Sequence, residues 1–491
     1  MSSERMDEAT GVPGLDVILG GGLLRRGMVC LVGGPGTGKT VLAQQMAFAA
    51  AQAGRPALYF SGLSEPHERL IEHLRAFRFF DEGLLAQSVQ LLSLTPALEQ
   101  DEDEAVDMVV QTVRRTGATL LILDGFGSMR RMLQNERETI RFIYRLSTQL
   151  GLLGALLIVI VEGDPSESTL YPELAASDVL IGLHYERTRV SHRRYVEVLK
   201  RRGAAPLPGL HPFTINTSGI TCYPQLESVL PSDDVPFDPA VRAPFDLPEL
   251  DAMLAGGLTQ QTTTLLAGNQ GTGKTLLGLQ FLAAGVARGE PGLLVGLRET
   301  PAQLVAKAGQ HGISLADAVE RGTIRLLVQP PVALDPDILA WQLRDAMTAT
   351  HARRVVIDSV AELEEAVAPQ RAHDYLAALV TLLRAEGITA ILIRETFGAF
   401  GEVPAFDDEP AAVLAENVIW LRQLQARGEL RRVLAVVRMR FSSHDRTIRE
   451  FTVTERGLTM LGRWSSEASL LDDLAGEPSR PLASSSGEPP R

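Results

Sequence analysis

GGPGTGKT at residues 33–40 returns as GNQGTGKT at 268–275, and reading these two stretches together decides the fold. Both satisfy GxxxxGK[ST]. Each follows a β-rich run, MVCLVG at 28–33 and TTLLAG at 263–268, and each opens a helical stretch. Glycine lets the backbone curl so that successive N–H groups converge on the β and γ phosphates of a nucleotide, and the following helix adds the positive end of its dipole. The pattern predicts one phosphate cradle from Gly33, Gly34, Pro35, Gly36, Thr37, Gly38, Lys39 and Thr40. It predicts a second from Gly268, Asn269, Gln270, Gly271, Thr272, Gly273, Lys274 and Thr275. Lys39 and Lys274 would neutralise phosphate charge. The hydroxyls of Thr40 and Thr275 would reach Mg²⁺, with Asp124 and Asp358, at the ends of apolar strands, holding the same ion through its water shell. The expected ligands are therefore a nucleoside triphosphate and Mg²⁺.

Working outward, the whole chain repeats in one order. VPGLD at 12–16 is answered by LPELD at 247–251, GGL at 21–23 by GGL at 256–258, and LLILDG around Asp124 by VVIDS around Asp358. VLKRRG near Lys200 is answered by VVRMRF near Arg438, and HPFTI at 211–215 by REFTV at 449–453. Matches at nearly constant spacing indicate a tandem duplication of one domain. Each copy alternates strand runs (ALYFSG, LLILD and ALLIVIV; GLLVGL, VVIDS and AILIRE) with helical stretches such as VLAQQMAFAAAQAG and LLGLQFLAAGVARG. That alternation specifies α/β domains with a largely parallel sheet flanked by helices. The expected boundaries are a first domain over 1–223, a Pro- and Asp-rich linker over 224–246, a second domain over 247–464, and a disordered tail over 465–491.

Composition narrows the remaining classes. The chain has 491 residues, 45% hydrophobic and 22% charged, which fits neither a fibre nor a disordered polyelectrolyte. A net charge of −13 disfavours a nonspecific nucleic-acid binder. Cys30 and Cys222 are too few for a disulfide framework, and MSSERMDEATG lacks the apolar core of a secretory signal, so a cytoplasmic location is expected. The longest apolar run, Leu150 to Val161, is shorter than the ~18 residues of a membrane span, and its end reads as a buried strand.

The stretch TGVPGLDVILGGGLLRRGMVCLVGGPGTGKT resembles the opening of a RecA-type domain of the KaiC family, in which GxPGxD and GGL precede the loop. The resemblance extends to LKRRG with HPFTI in the first copy and to ARGELRRVLAVVRMRFSSHDRTIREF in the second, spanning about residues 10–460. It implies two tandem RecA-like P-loop NTPase domains that assemble as stacked, usually hexameric rings with ATP between neighbouring subunits. By the same resemblance, Lys200, Arg202, Arg438 and Arg440 match basic residues that reach the neighbour's phosphate. A cation supplied across an interface would make hydrolysis depend on assembly.

Departures from that pattern shape the functional expectation. Relatives commonly carry two adjacent glutamates after the second strand, one of which polarises water. Here the second copy reads GLRETP, with Arg298 in one position and Glu299 in the other. Glu299 is the expected general base. In the first copy, GLSEPHE puts Leu63 and Ser64 at the pair when aligned on Pro66, and Glu65 near the site when counted from Lys39. The adjacent Ser-Thr pair that clock-type members phosphorylate falls on Ala412 and Val413, neither of which accepts phosphate. The expectation is an ATP-hydrolysing oligomeric switch addressing a signalling protein. The alternatives are a Ser/Thr autokinase using the same sites and a RecA-type recombination motor. EGDPSESTLYPELAASD at 162–178 and FGAFGEVPAFDDEPAAVLAEN at 397–417 are acidic where a DNA-facing loop would be basic, which disfavours the motor.

Overall fold

The computed structural model describes residues 7–62, 67–133, 135–167, 172–187, 192–229, 235–396, 410–426 and 429–464. The tail from 465, Glu65 with its neighbours 63, 64 and 66, and parts of the two acidic stretches lie outside the described residues. The chain divides into two compact units, Met1–Val229 and Leu230–Arg491.

In the first unit the strands are β1 (Gly27–Gly33), β2 (Ala57–Ser61), β3 (Val89–Ser93), β4 (Leu120–Asp124), β5 (Leu156–Glu162), β6 (Val179–Arg187), β7 (His192–Arg201), β8 (His211–Asn216) and β9 (Gly219–Cys222). They form one sheet in the order β3-β2-β4-β5-β1-β6-β7-β8-β9. Pairing is parallel from β3 through β6 and antiparallel from β6 to β9. Parallel neighbours need crossovers, and helices supply them, which is why the apolar runs of β1, β4 and β5 are buried on both faces. The period of two is visible within β1. Val29 and Leu31 join one apolar cluster with Leu42, Met46 and Ile158, whereas Met28, Cys30 and Val32 join another with Val109, Phe142 and Val159.

The second unit repeats the plan. A two-stranded ladder, β10 (Arg242–Ala243) with β11 (Leu258–Thr259), precedes a sheet of β12 (Thr263–Gly268), β13 (Gly292–Gly296), β14 (Ile324–Val328), β15 (Arg354–Asp358), β16 (Thr389–Glu395), β17 (Asn417–Ala426), β18 (Glu429–Met439), β19 (Arg449–Thr454) and β20 (Gly457–Arg463). Its order, β14-β13-β15-β16-β12-β17-β18-β19-β20, is the first order shifted by one repeat. Even the irregularities coincide: the pairing slips between Leu180 and Ile181 in β6 and between Val418 and Ile419 in β17. Each unit is a RecA-like α/β domain.

The paired motifs VPGLD and LPELD gain a local reason. Asp16 accepts the Thr10 N–H at 3.0 Å, and Asp251 accepts those of Phe245 at 2.8 Å and Leu247 at 3.1 Å, so each aspartate ties down the strand of chain leading into its domain. Parts of the stretch read as a linker are built into the units. Leu226 is buried in the first, while Ala243 and Phe245 belong to the apolar core of the second.

Candidate nucleotide site

In an open parallel sheet, ligands sit beyond the carboxyl ends of the strands where the order reverses. Here that place lies after β1 and β12, and both glycine loops occupy it. Gly36 (φ +74°) and Gly38 (φ +105°) adopt left-handed conformations that the loop's curl requires, as do Gly271 (+75°) and Gly273 (+99°). A Cβ on Gly33 would stand 2.4 Å from the Leu183 carbonyl oxygen, and one on Gly268 2.2 Å from that of Leu421. Gly34 and Gly36 instead face open space, as a cradle for phosphate oxygens demands.

The second-unit site lines a cavity of about 700 Å³ containing Lys274, Thr275, Arg298, Glu299, Asp358 and Glu395. Lys274 opens the helix Lys274–Val286 and turns its Nζ back onto the carbonyls of Gly268 (2.9 Å) and Asn269 (2.7 Å). Burial lowers its pKa, with Glu395 and Asp358 opposing the shift. Thr275 Oγ1 donates to Asp358 Oδ2 at 2.6 Å. Burial raises the Asp358 pKa, and the Thr275 hydrogen bond pulls the other way. A hydroxyl and a desolvated carboxylate at this spacing, beside an open phosphate cradle, suit a small hard cation such as Mg²⁺.

Glu299 is positioned by a helix start. Thr300 caps the helix Pro301–Gln310 through a reciprocal capping box with Gln303, which fixes the backbone one residue after the glutamate. Lys307, on that helix, pairs with Glu299 Oε1, while Oε2 is buried without a hydrogen-bond partner. Beside it, Arg298 joins Glu362 through Nε and Glu395 through Nη1 at 2.7 Å.

The first unit has the same frame. Lys39 Nζ donates to Gly33 O (2.7 Å) and Gly34 O (2.8 Å), and Thr40 Oγ1 donates to Asp124 Oδ2 at 3.0 Å. Asp124 also accepts from the buried Tyr59 hydroxyl, a donor that sequence reasoning missed and that the second unit replaces by Leu294. Burial raises the Asp124 pKa against the opposing pull of both hydroxyls. A second omission is the pair Gln423 and Arg432, register partners on β17 and β18 that both donate to Gly271 O at 3.4 Å. The matching pair in the first unit, Tyr185 and Arg194, stacks as a cation over a ring. The signal available in sequence was the hairpin itself, whose two arms carry these residues at matched positions.

The four basic residues lie elsewhere. Lys200 pairs in register with Leu180 and Arg438 with Val418, whereas Gly33 and Gly268 pair with Leu183 and Leu421. Three residues along the strand and two strands across put each roughly 14 Å from its own loop, at the amino end of the parallel strands. There Lys200 Nζ donates to Ala175 O at 3.0 Å and Arg202 pairs with Asp178 at 3.3 Å. Arg438 donates to the carbonyls of Ala412 and Ala415 (2.8 Å to the latter), and Arg440 to that of Val413 at 3.3 Å. Lys200, Arg438 and Arg440 thus sit on the last carbonyls of short helices, a favourable place for positive charge, while Arg202 rests on a carboxylate.

Two glycine loops, each with its lysine, threonine and strand aspartate on a RecA-like sheet, define a tandem P-loop ATPase. The family model for the KaiC ATPase matches residues 9–227 and again 244–464, so the chain belongs to that family. It is 26% identical over 465 residues to the circadian clock protein KaiC3 of Synechocystis sp., covering 91% of this chain and 90% of that protein. It is 27% identical over 471 residues to the circadian clock oscillator protein KaiC of Thermostichus vulcanus, covering 93% and 89%. Against the KaiC of Picosynechococcus sp. it is 26% identical over 485 residues, covering 96% and 92%.

Proposed function

We propose that this protein is an ATP-binding, Mg²⁺-dependent, ATP-hydrolysing switch that works as an oligomer, with nucleotide held between subunits. The observation that carries the reading is the second-unit cavity, where a glutamate with one buried, unpartnered carboxylate oxygen stands beside the Lys274, Thr275 and Asp358 group. The Glu299 side chain as a whole is partly exposed and lines the cavity, so a rotation brings this oxygen to a water there, and Glu299 accepts the proton as water attacks the γ phosphate. Lys274 leaves its carbonyl partners to neutralise phosphate charge. Thr275 and Asp358 in one domain, and Thr40 and Asp124 in the other, would hold Mg²⁺, which would supply neutralisation of phosphate charge. Lys200 and Arg202, then Arg438 and Arg440, are too far from their own loops and serve the loop of an adjoining subunit. Nucleotide state then alters the surface offered to a signalling protein. Water, not a protein hydroxyl, is the acceptor, because Ala412 and Val413 stand where the clock-type phosphorylation sites fall. Among the described residues no helix is long and apolar enough to cross a membrane, which accords with a cytoplasmic switch.

The test is phosphate release measured beside oligomer mass, with and without Mg·ATP, on wild type, Lys39→Ala, Lys274→Ala and Glu299→Gln. Assembly should require ATP, and turnover should fall by about 10²-fold or more in Glu299→Gln, the range of a general base. Intact turnover in Lys274→Ala would move the working site to the first domain. A monomer at saturating Mg·ATP would remove the trans-acting roles.

A further inference from the structure

The second loop has an electrostatic problem that the first has in milder form. Glu395, at the end of β16, pairs in register with Gly268, the first residue of the loop, so a carboxylate stands beside the phosphate cradle. The first unit has the equivalent Glu162 opposite Gly33. The second unit adds Glu362, four residues after Asp358, where the first unit has Ser128 four residues after Asp124. Glu362 is nearly buried and is held from one side by Ser359 Oγ at 2.5 Å. A nucleoside triphosphate entering this cavity brings its most negative group towards Glu395, which lines it and is joined to Glu362 through Arg298, and repulsion between like charges weakens binding unless a cation compensates it.

Arg298 is the compensating charge. Its guanidinium bridges Glu362 and Glu395, yet it remains half-exposed and lines the same cavity as Lys274, Thr275 and Asp358. The planar fork of a guanidinium matches carboxylate and phosphate oxygens alike, so exchanging one for the other needs only a change of partner. Glu362 supplies the fixed anchor and Glu395 the exchangeable one.

We propose that Arg298 discriminates the terminal phosphate: it stays anchored on Glu362 while trading Glu395 for the γ phosphate, so that the second site prefers nucleoside triphosphate to diphosphate. This rests on the nucleotide-binding reading of the cavity. A diphosphate leaves Arg298 on Glu395 and gains nothing from it.

The test uses the full chain carrying Lys39→Ala, which silences the first loop, and titrates a non-hydrolysable fluorescent ATP analogue and ADP with Mg²⁺. Arg298→Gln should weaken the triphosphate by about tenfold or more, as expected for a lost hydrogen bond to a charged group, and shift ADP by less than about twofold. Glu395→Gln should tighten the triphosphate and leave ADP in place, and Arg298→Lys should fall between wild type and Arg298→Gln because it keeps the charge without the fork. Equal shifts for both nucleotides, or a weaker triphosphate in Glu395→Gln, would overturn the assignment. Thermal unfolding without nucleotide identifies a misfolded Arg298→Gln variant, in which case Arg298→Lys decides: an unchanged ratio of triphosphate to diphosphate affinity in it overturns the assignment. Lys274→Ala separates the two levels. Undiminished binding of both nucleotides in it rejects the nucleotide reading itself, whereas loss of both there, with parallel shifts in Arg298→Gln, rejects only the role of Arg298.

Discussion

The hydroxyl of Tyr59 distinguishes the two sites at the level of a single atom. It is buried and donates to Asp124, the carboxylate that Thr40 also reaches, while Leu294 leaves Asp358 with Thr275 alone among the hydroxyls described. Removing a buried donor from a carboxylate costs about 1.5–3 kcal/mol when nothing replaces it. Tyr59→Phe should therefore lower the stability of the first domain by about that amount, read as a shift in its chemical unfolding midpoint. Because both donors hold the ionised form of Asp124, the same substitution should also raise the aspartate's pKa further. Nucleotide-dependent Mg²⁺ binding at the first site, measured calorimetrically in Lys274→Ala, should then weaken at mildly acidic pH before it does in the parent.

Elements show how far sequence could be read. The loops, their lysines and threonines, and the strand aspartates were legible because each belongs to a local pattern in which a few consecutive residues determine backbone curl and helix start. The network around Arg298 was not, because its partners lie 64 and 97 residues away and meet only through the order β13-β15-β16. Arg354 was hidden for the same reason. It is fully buried at the start of β15, donates Nε to Glu290 at 2.6 Å and Nη1 to Pro244 O and Phe281 O, and stacks on the Phe281 ring. The first unit has Leu120 in its place. Arg354→Ala should destabilise the second domain by about 3–5 kcal/mol, since it strands a carboxylate and two carbonyls, and the unfolding transition of that domain should move while the first domain's does not. The segment after Arg440 gives a pH dependence. Asp445 accepts the Thr447 N–H at 2.9 Å and Arg449 Nη2 at 2.9 Å, which hold its carboxyl down to about 2 from an ordinary 3.8. A depressed folded-state pKa contributes stability that is complete above the ordinary value and is lost as pH falls through about 2. The thermal midpoint of Asp445→Asn should lie below that of wild type at pH 5, and the two should converge between pH 4 and 2.

At the scale of the whole molecule, the placement of the basic residues decides what the protein can do alone. In each unit the cations stand at the amino end of the parallel strands and the loop at the carboxyl end, with Arg438 and Arg440 resting on helix-end carbonyls of their own chain. A side chain cannot span that separation. If these residues act on phosphate, it is not at the loop of their own unit, and on the function proposed above they act on another copy, through a head-to-tail contact in which one surface supplies the loop and a different surface the cations. Such a contact makes loop and cation separable by mutation. Lys274→Ala subunits keep their arginines and lack a working second loop, while Arg438→Ala/Arg440→Ala subunits keep the loop and lack the arginines. In a Lys39→Ala background, each variant alone should show little turnover. An equimolar mixture assembled with Mg·ATP should recover about a quarter of the parent rate, because random placement makes one heterologous interface in four complete. Recovery fixes the cations in trans without any assumption about ring size. Arg438→Ala/Arg440→Ala subunits that turn over at the parent rate on their own would instead mean that Arg438 and Arg440 hold the end of the helix Pro410–Leu414 and leave catalysis to the residues of the cavity.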